Sequence, residues 1–336
     1  MKLMRYNFHT QPVSVARLGV LLPGDKVGDM RAGYARYLAE KRGDSQGREI
    51  AALRMQPHIA QFLAVGEAGW DAARRTQEYL TALMSDPAAA GLDGERLIVP
   101  LAECRLHATV KPSKVIAIGR NYADHLKEAG IKIDMTVPSA WIKANNCIIG
   151  PTRDIVKPAC VKERDYDTEL AVVIGKRCRD VPETKAYDVI AGYTVMNDVS
   201  ARDIVRIERK EGNQLLGKMF DGFAPMGPWL VSRDEIPDPM NLHVISRVNG
   251  EIRQNGNTHD MIWPIPKLIA YLSQMTLEPG DVISTGTPDG VAMGRKPGQT
   301  PWFLKAGDIL ESEVEKIGVM RNKIADESVK STSWTW

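Results

Sequence analysis

The 336-residue chain is long enough for about two domains with their own cores, and its composition of 43% hydrophobic and 26% charged residues is typical of a globular protein. Its 44 basic and 42 acidic side chains leave a net charge of +2, too weak a field to indicate nucleic acid or an anionic membrane as a partner. We therefore expect a small-molecule ligand, with no nucleic-acid and no membrane partner.

The first residues and the cysteines bear on the cellular compartment. Residues 1–15 contain no apolar segment after their basic residues, and no run of about 18 apolar residues occurs anywhere in the sequence. The four cysteines, Cys104, Cys147, Cys160 and Cys178, are widely spaced and form no C-x-x-C pair. This argues against a zinc or redox centre and for reduced, mostly buried thiols. The expected location is the cytoplasm.

The first hundred residues have the pattern of a separate unit. RLGVLLPGDKVGDM predicts two short strands around a Pro-Gly-Asp turn, and residues 32–84 have helical spacing and helix-forming residues. Pro100 and Pro112 mark a boundary near residue 105. We therefore predict a small N-terminal α+β accessory domain over residues 1–105 and a second domain over residues 106–336. Nothing in the first unit indicates chemistry.

From Lys114 onward the pattern changes to short β-rich runs separated by Gly, Pro and Asp. The runs are KVIAIG, CIIG, LAVVIG, VIAGYTVM, GPWLVS, LHVISRVNG, DVISTG and DILESEV. Two helical patterns stand out, around residues 121–130 and 266–275. This spacing predicts a β-rich α+β fold, in which a mixed sheet curls into a sandwich or barrel, rather than alternating βαβ units.

Three acidic residues precede one of the buried-looking runs, in DYDTELAVVIG. Because alternate side chains of a strand point to the same face, Asp165, Asp167 and Glu169 are expected on one side. Two such carboxylates can converge on one divalent ion, and Asp198, at the end of another predicted strand, is a candidate third ligand. The alternative is that these acids only solvate an outward-facing surface.

A second group of candidate residues lies in GRNYADHLKEAG, which follows a predicted strand and begins a short helix. Positions three apart on a helix share a face, so His125 and Glu128 can form a hydrogen bond. A carboxylate on one imidazole nitrogen fixes the tautomer and raises the basicity of the other, which suits a general base. The alternative is an ordinary ion pair on a surface helix.

A third set of candidates is polar or basic and lies near glycines and turns. Its members are Arg202, Lys218, Gln254 and Thr287. Each alone is typical of a turn or a surface. Together with a divalent ion they would form an anion-binding pocket, because Arg and Lys pair with carboxylates and a Thr hydroxyl can orient one.

These motifs, taken in chain order, resemble those of the fumarylacetoacetate hydrolase family. The motifs are KVIAIGRNYADHLKE, YDTELAVVIGK, GYTVMNDVSARD, GKMFDGFAPMGPWLV, VNGEIRQ and TLEPGDVISTGTPDGV, and they cover about residues 105–325. The resemblance implies the mixed β-sandwich or roll of that family's C-terminal domain. The small accessory domain of its longer members is only loosely similar to residues 1–105.

The resemblance also implies roles for individual residues. Asp167, Glu169 and Asp198 match the three metal-carboxylate positions, which usually hold magnesium or manganese, with calcium as a third candidate. His125 and Glu128 match the catalytic dyad. The remaining matches are Lys218 in the catalytic pocket and Arg202, Gln254, Thr287 and Tyr122 as substrate-binding residues. The family's usual E-x-E pair is D-x-E here, which puts the identity and affinity of the metal in question. Asp165 is interpreted as a residue behind the ligands or at the surface.

The resemblance implies a metal-dependent enzyme that acts on an oxo acid and forms a homodimer. The leading prediction is a hydrolase that cleaves a C–C bond of an acylpyruvate-like or fumarylacetoacetate-like 1,3-diketo acid. The alternative is a decarboxylase, isomerase or hydratase for a 2-oxo or 2-hydroxy-dienoic acid of aromatic catabolism. A second alternative is a metal-binding protein without turnover.

Overall fold

The computed structural model describes residues 1–12, 14–86, 88–128, 130, 132–294 and 302–328. These residues form a strand-rich α+β fold, as the sequence predicts. The helices are α1 (Met30–Arg42), α2 (Gly47–Arg54), α3 (Ile59–Ala64), α4 (Glu67–Ala82), α5 (Ala123–Glu128), α6 (Arg202–Lys210), α7 (Leu216–Met219) and α8 (Ile265–Leu272).

The strands are short, and most of them are buried on both faces. In the first third of the chain they are β1 (Lys2–Phe8), β2 (Arg17–Leu22), β3 (Lys26–Asp29), β4 (Ile98–Pro100), β5 (Cys104–Leu106) and β6 (Val115–Gly119). The middle strands are β7 (Ser139–Lys143), β8 (Ile148–Ile149), β9 (Ile155–Lys157), β10 (Arg164–Asp165), β11 (Thr168–Ile174), β12 (Ile190–Asn197) and β13 (Ser200–Ala201). The last are β14 (Ala224–Ser232), β15 (His243–Val248), β16 (Glu251–Asn257), β17 (Val282–Ser284), β18 (Ile309–Val314) and β19 (Gly318–Asp326).

A large mixed sheet forms the centre of the molecule. Its strand order is β4-β3-β2-β1-β14-β12-β11-β17-β6-β7, with β5 paired to β1 and β8 to β14. A second sheet has the order β16-β15-β18-β19-β9, and β10 pairs with β13. Buried side chains of both larger sheets, such as Val172, Tyr193, Val244 and Val314, belong to one apolar core. The two sheets therefore pack as a sandwich, in agreement with the predicted fold class.

The N-terminal strands continue the central sheet rather than forming a sheet of their own. β1 pairs antiparallel with β14, where Leu3 lies opposite Leu230, and with β2 and β5. The helices α1 to α4 cover this end of the sheet, and α1 starts at Asp29, whose carboxylate accepts a hydrogen bond from the Ala32 N–H. The division of the chain into two domains at residue 105 stays a prediction. The strands β1 and β14, which lie on the two sides of this boundary, pair with each other in one sheet.

Two further expectations concern thiols and membranes. All four cysteines are free; Cys104 and Cys147 are buried, and Cys160 and Cys178 are partly buried. In the described part of the chain, the helices are too short or too polar for any of them to cross a membrane.

Candidate active site

Strand pairing brings two of the predicted metal ligands, Asp167 and Asp198, together. β11 runs antiparallel to β12 with Thr168 opposite Asn197, so the preceding Asp167 lies opposite the following Asp198. The Asp198 N–H donates to the Asp167 carbonyl at 2.8 Å, which extends the ladder by one more pair. The Asn197 Oδ1 accepts from the Asp167 N–H at 3.0 Å. The backbone of Asp167 and Asp198 is therefore fixed where β11 begins and β12 ends.

Glu169 joins them from inside β11. Because β17 also runs antiparallel to β11, Gly286 follows it to a position beside Glu169. The Ser284 hydroxyl donates to Glu169 Oε2 at 2.5 Å, and the Gly286 N–H donates to the same oxygen at 3.0 Å. Asp167 is 4% and Glu169 2% exposed, so the alternative interpretation of this run as a solvated outward face is wrong.

Three buried cations, Lys218, Lys143 and Arg202, contact the aspartates of the site. Lys218 Nζ lies 2.6 Å from Asp198 Oδ2 and 3.2 Å from Asp167 Oδ2. Lys143 Nζ lies 2.6 Å from Asp198 Oδ1. Within the described residues, Glu169 alone of the three predicted metal ligands has no cationic side chain at ion-pair distance. Hydrogen bonds to charged partners are the strong ones in a buried site, so the two aspartates are held more firmly than the glutamate.

These contacts shift the pKa values of Glu169 and Asp198 in opposite directions. Burial, together with the nearby charges of Asp198 and Asp167, raises the pKa of Glu169 to about 8. Burial alone would raise the pKa of Asp198 as well, but Lys143 and Lys218 outweigh it and lower that pKa below its usual range. An additional positive charge near Glu169 would stabilise its ionised form.

Arg202 binds carboxylates of the chain itself. It is the first residue of α6, and its Nη2 lies 2.6 Å from Asp167 Oδ1 while its Nε lies 2.7 Å from Asp165 Oδ2. Asp165 also accepts backbone hydrogen bonds from Ala292 and Met293, and it is fully buried. Of the two interpretations of Asp165, a surface position is wrong and a position behind the predicted ligands is correct. The Nε and Nη2 atoms of Arg202 are therefore bonded to carboxylates of the chain itself before any substrate is bound.

His125 and Glu128 lie on the same face of α5, as their spacing predicts, but they are not hydrogen-bonded. The distance from His125 Nδ1 to Glu128 Oε2 is 3.9 Å, and this buried nitrogen has no hydrogen-bond partner. Glu128 Oε2 instead accepts a hydrogen bond of 3.0 Å from the Gly290 N–H. A side chain at Gly294 would collide with the Glu128 carboxyl group, because its Cβ would lie 2.1 Å from that group's carbon. The carboxylate is thus held by the 290–294 loop.

The remaining predicted substrate residues differ in how far they reach the site. Thr287 lines the cavity between the carboxylates, and its hydroxyl donates to the Thr168 carbonyl at 2.9 Å. Gln254 lies behind it, where its Nε2 donates to Thr287 Oγ1 at 2.7 Å and its Oε1 accepts from the Thr168 N–H. Tyr122 is 2% exposed, and its hydroxyl has no partner. Burial and the nearby Glu169 raise the pKa of this phenol. Gln254 therefore positions Thr287 in this arrangement rather than facing the cavity.

One cavity of about 60 Å³ brings these groups together. We call it the central cavity; its walls include Asp167, Glu169, Asp198, His125, Lys218 and Thr287. Trp141 also lines it, and the Lys218 ammonium lies 4.8 Å from the centre of the Trp141 ring. Of the predicted site residues, Glu128, Gln254 and Tyr122 support this wall from behind.

The donor set suits a hard divalent cation. Asp167, Glu169 and Asp198 supply carboxylate oxygens, which magnesium and manganese prefer, and the raised pKa of Glu169 marks where positive charge is lacking. As the side chains stand, no three His, Cys, Asp or Glu residues in the described segments are arranged to hold an ion. Asp198 is bonded to Lys143 and Lys218, and Asp167 to Lys218 and Arg202. In this arrangement an ion would bind only if the carboxylates turned.

Several residues of the site were not predicted from the sequence. Lys143 reaches Asp198 from β7, and Glu208 anchors the segment before Lys218 through three backbone N–H groups. Arg120 and Arg209 also line the central cavity. The signal for Arg209 was available, since it follows Arg202 by seven residues and thus two helical turns.

Comparison with known proteins agrees with this arrangement. The family model for the fumarylacetoacetate (FAA) hydrolase C-terminal region matches residues 114–325. The human protein named oxaloacetate tautomerase FAHD2A, mitochondrial, is 43% identical over 269 residues, which make up 79% of this chain and 79% of that protein.

Two solved structures are also similar. The 2-hydroxyhepta-2,4-diene-1,7-dioate isomerase from Mycobacterium marinum is 36% identical, with a TM-score of 0.59 over 69% of this chain and 82% of that chain. The maleylpyruvate hydrolase from Sphingobium sp. SYK-6, in complex with manganese (II) ion and pyruvate, is 28% identical, with a TM-score of 0.68 over 98% of this chain and all of that chain. These proteins are named for three different reactions. The chain itself belongs to the fumarylacetoacetate hydrolase family, which is a family of enzymes.

Proposed function

We propose that this protein catalyses proton transfer at C3 of a short 2-oxo acid, interconverting its keto and enol forms, with oxaloacetate as the type of substrate. The observation that carries the proposal is the composition of the central cavity. One imidazole, His125, shares a small cavity with three carboxylates suited to a divalent ion and with the Lys218 ammonium. A base, a positive charge and an ion site are the components that enolisation of a 2-oxo acid requires.

The proposal gives each of five residues in or behind the wall of the central cavity a defined role. His125 takes a proton from C3 of the keto form and delivers it to the enolate oxygen at C2, and the reverse transfers return it to C3. A closer approach of Glu128 to His125 Nδ1, from the present 3.9 Å, would fix the tautomer that leaves the other ring nitrogen free as the base. Lys218, held between Asp167 and Asp198, places positive charge where the enolate oxygen develops. Trp141 and Thr287 close the cavity around the substrate.

A divalent ion, magnesium or manganese, is part of the proposal. Asp167, Glu169 and Asp198 would hold it, and when bound it would act as a Lewis acid that acidifies the C3 protons of the 2-oxo acid. The relative solved with manganese and pyruvate supports an ion and an oxo acid in this type of site. Asp167 is one methylene shorter than the glutamate usual at this position in the family. Calorimetric titration would measure whether the site prefers magnesium or manganese.

The names of the relatives favour this reaction over the predicted hydrolysis. Hydrolysis would also need a water placed between His125 and the substrate carbonyl, whereas in tautomerisation His125 acts directly on the C3 proton. Relatives from human, rat and cattle, 41–43% identical, carry the name oxaloacetate tautomerase.

Hydrolytic C–C cleavage of an acylpyruvate stays the second candidate. It is favoured by the similarity to maleylpyruvate hydrolase, which extends over 98% of this chain. The same base, lysine and ion site would serve it, with water as the group that His125 deprotonates. A homodimer also stays part of the proposal, and sedimentation equilibrium of the purified protein would test it.

The decisive experiment compares tautomerisation with cleavage in one protein sample. The loss of enol absorbance from fresh oxaloacetate would be followed with magnesium, with manganese and with EDTA, beside pyruvate release from acetylpyruvate and fumarylpyruvate. We expect metal-dependent acceleration of the keto–enol conversion, and a decrease of about 10²-fold in His125→Ala with metal binding retained. Pyruvate and an acid from an acylpyruvate, without faster tautomerisation, would replace the proposal by the hydrolase.

A further inference from the structure

We propose that Arg120 and Arg209 bind the distal carboxylate of the substrate and so select dicarboxylic 2-oxo acids over monocarboxylic ones. The inference rests on the proposed function, because it takes the 2-oxo end of the substrate to lie at Asp167, Glu169 and Asp198. It adds a second anion-binding position at the rim of the central cavity. Both arginines line that cavity.

Helix geometry places Arg209 beside the site. Arg202 and Arg209 are seven residues apart on α6, and such positions lie on the same face about 10 Å apart along the axis. The side chain of Arg202 reaches the carboxylate end of the cavity. Arg209 therefore approaches the same cavity farther along the helix. Its Nε donates to Gln214 Oε1 at 2.9 Å, which leaves both terminal nitrogens of the guanidinium available.

Arg120 comes from the opposite wall, directly after β6. Its φ of 57° lies in the left-handed region, which is costly for a residue with a Cβ. The neighbouring Asn121 is fixed: its Nδ2 donates to the carbonyls of Trp263 and Thr285, and its Oδ1 accepts from the Trp263 N–H. The strained backbone is therefore held in place by surrounding contacts. Strain maintained in this way is typical of functional positions.

The charges around the cavity leave these two arginines without an anion. Arg202 is neutralised by Asp165 and Asp167. Across the described residues, neither Arg120 nor Arg209 has an acidic side chain at ion-pair distance, and both residues are exposed. Although Arg209 keeps exposed surface, the burial of part of its side chain and the positive charges of Arg202 and Arg120 lower its pKa. A bound carboxylate would relieve this repulsion, and two guanidinium groups suit its two oxygens.

The test compares two substrates that differ only in this group. 2-Oxobutyrate is oxaloacetate with its distal carboxylate replaced by a methyl group, and both exchange their C3 protons with solvent deuterium, which NMR measures. We expect Arg120→Gln and Arg209→Gln each to lower kcat/KM for oxaloacetate about 10-fold or more, mainly through KM. The same variants should change kcat/KM for 2-oxobutyrate less than about 2-fold. Arg209→Lys keeps the charge without the fork and should restore part of the loss.

The control is Arg206→Gln, on the same helix. Arg206 is exposed, pairs with Glu163 at 2.7 Å and does not line the cavity, so this variant should resemble the wild type with both substrates. Equal losses with oxaloacetate and 2-oxobutyrate in the Arg120 and Arg209 variants, or no loss, would overturn the inference. Thermal unfolding of each variant would identify losses caused by misfolding.

A binding measurement separates failure of this inference from failure of the proposed function. If the wild type accelerates exchange in neither substrate, the proposed function fails, and calorimetric titration with oxaloacetate and 2-oxobutyrate still tests the arginines. Tighter binding of the dianion that is lost in Arg209→Gln would support the distal site. Equal affinity for the two acids in the wild type would refute it.

Discussion

The ammonium group of Lys143 is fully buried and bound by oxygen atoms alone. It lies 2.6 Å from Asp198 Oδ1 and 2.5 Å from the Lys218 carbonyl, with no exposed side-chain surface. Lys143→Met would remove a buried charge and leave the Asp198 carboxylate with only Lys218 as a cationic partner. Breaking a buried ion pair in this way costs about 3–5 kcal/mol. We expect urea denaturation to show a decrease of that size in the free energy of unfolding.

The matched control is Lys185→Met. Lys185 pairs with Asp188 at 3.8 Å, and the two side chains are 70% and 59% exposed. Exposed pairs of this kind contribute little, so the change should stay within about 0.5 kcal/mol. Similar losses in both variants would mean that the buried charge network around Asp198 adds nothing to stability beyond an ordinary surface pair.

At the scale of elements, Glu208 links two helices and positions Lys218. It lies in the last turns of α6, is 8% exposed, and accepts hydrogen bonds from the N–H groups of Leu215, Leu216 and Gly217 at 3.1, 2.6 and 3.1 Å. These N–H groups belong to the start of α7, which carries Lys218. The short helix therefore depends on a side chain from its neighbour rather than on its own length.

This contact predicts a combined loss of stability and activity in Glu208→Ala. Three backbone donors would lose their acceptor, at a cost of about 1–3 kcal/mol in unfolding free energy, and Lys218 would move relative to Asp198. We expect kcat for the proposed tautomerisation to decrease along with the urea midpoint, and Glu208→Gln, which keeps one acceptor oxygen, to lose less. Glu211→Ala, an exposed position just after α6, serves as the control. A full kcat in Glu208→Ala would show that this contact does not position the lysine.

The elements found from the sequence are those with a local signal. β6, β11 and β12 appear as buried β-branched runs, and the helix over α5 follows from its spacing. α6 and α7 were not predicted. α6 has no side-chain cap at Ala201, the residue before its start, although RDIVRIERK has an amphipathic helical pattern, and α7 has only four residues. Local pattern carries no information on an element as short as α7, whose stability comes from tertiary contacts.

The residues of the candidate site also divide into those with a local sequence signal and those without one. Asp167 and Glu169 could be placed on one face because strand periodicity is a local feature, whereas Asp198 was a candidate from its strand end that the family resemblance joined to them. Lys143 could not, since its contact with Asp198 joins residues 55 positions apart. The predicted hydrogen bond between His125 and Glu128 is absent for a related reason: Glu128 is engaged by Gly290, which is 162 residues away.

At the scale of the whole molecule, the N-terminal strand is attached by a partly buried histidine, His107. His107 follows β5, its N–H donates to the Arg5 carbonyl of β1, and its Nε2 lies 2.9 Å from Asn7 Oδ1. The Asn7 Nδ2 donates to three carbonyls, so its Oδ1 is the acceptor and the His107 Nε2 carries the proton. Burial, then the charges of Arg5 and Arg105, lower the pKa of His107 from 6.5 to about 4.

This pKa makes the attachment of β1 dependent on pH. The unfolded chain binds a proton at His107 near pH 6.5 but the folded chain only near pH 4, so stability is complete above pH 6.5 and decreases as the pH falls toward 4. Glu169, whose pKa is raised to about 8, acts in the opposite direction over the same range, so the prediction concerns the difference between variants. Between pH 7.5 and 5 the urea midpoint of His107→Gln, which keeps an N–H donor for Asn7, should fall less, or rise more, than that of the wild type. His58, whose pKa is also lowered by burial and Arg5, contributes equally to both proteins. His259→Gln, at an exposed position, should keep the wild-type slope; an unchanged slope in His107→Gln would show that this histidine does not couple folding to pH.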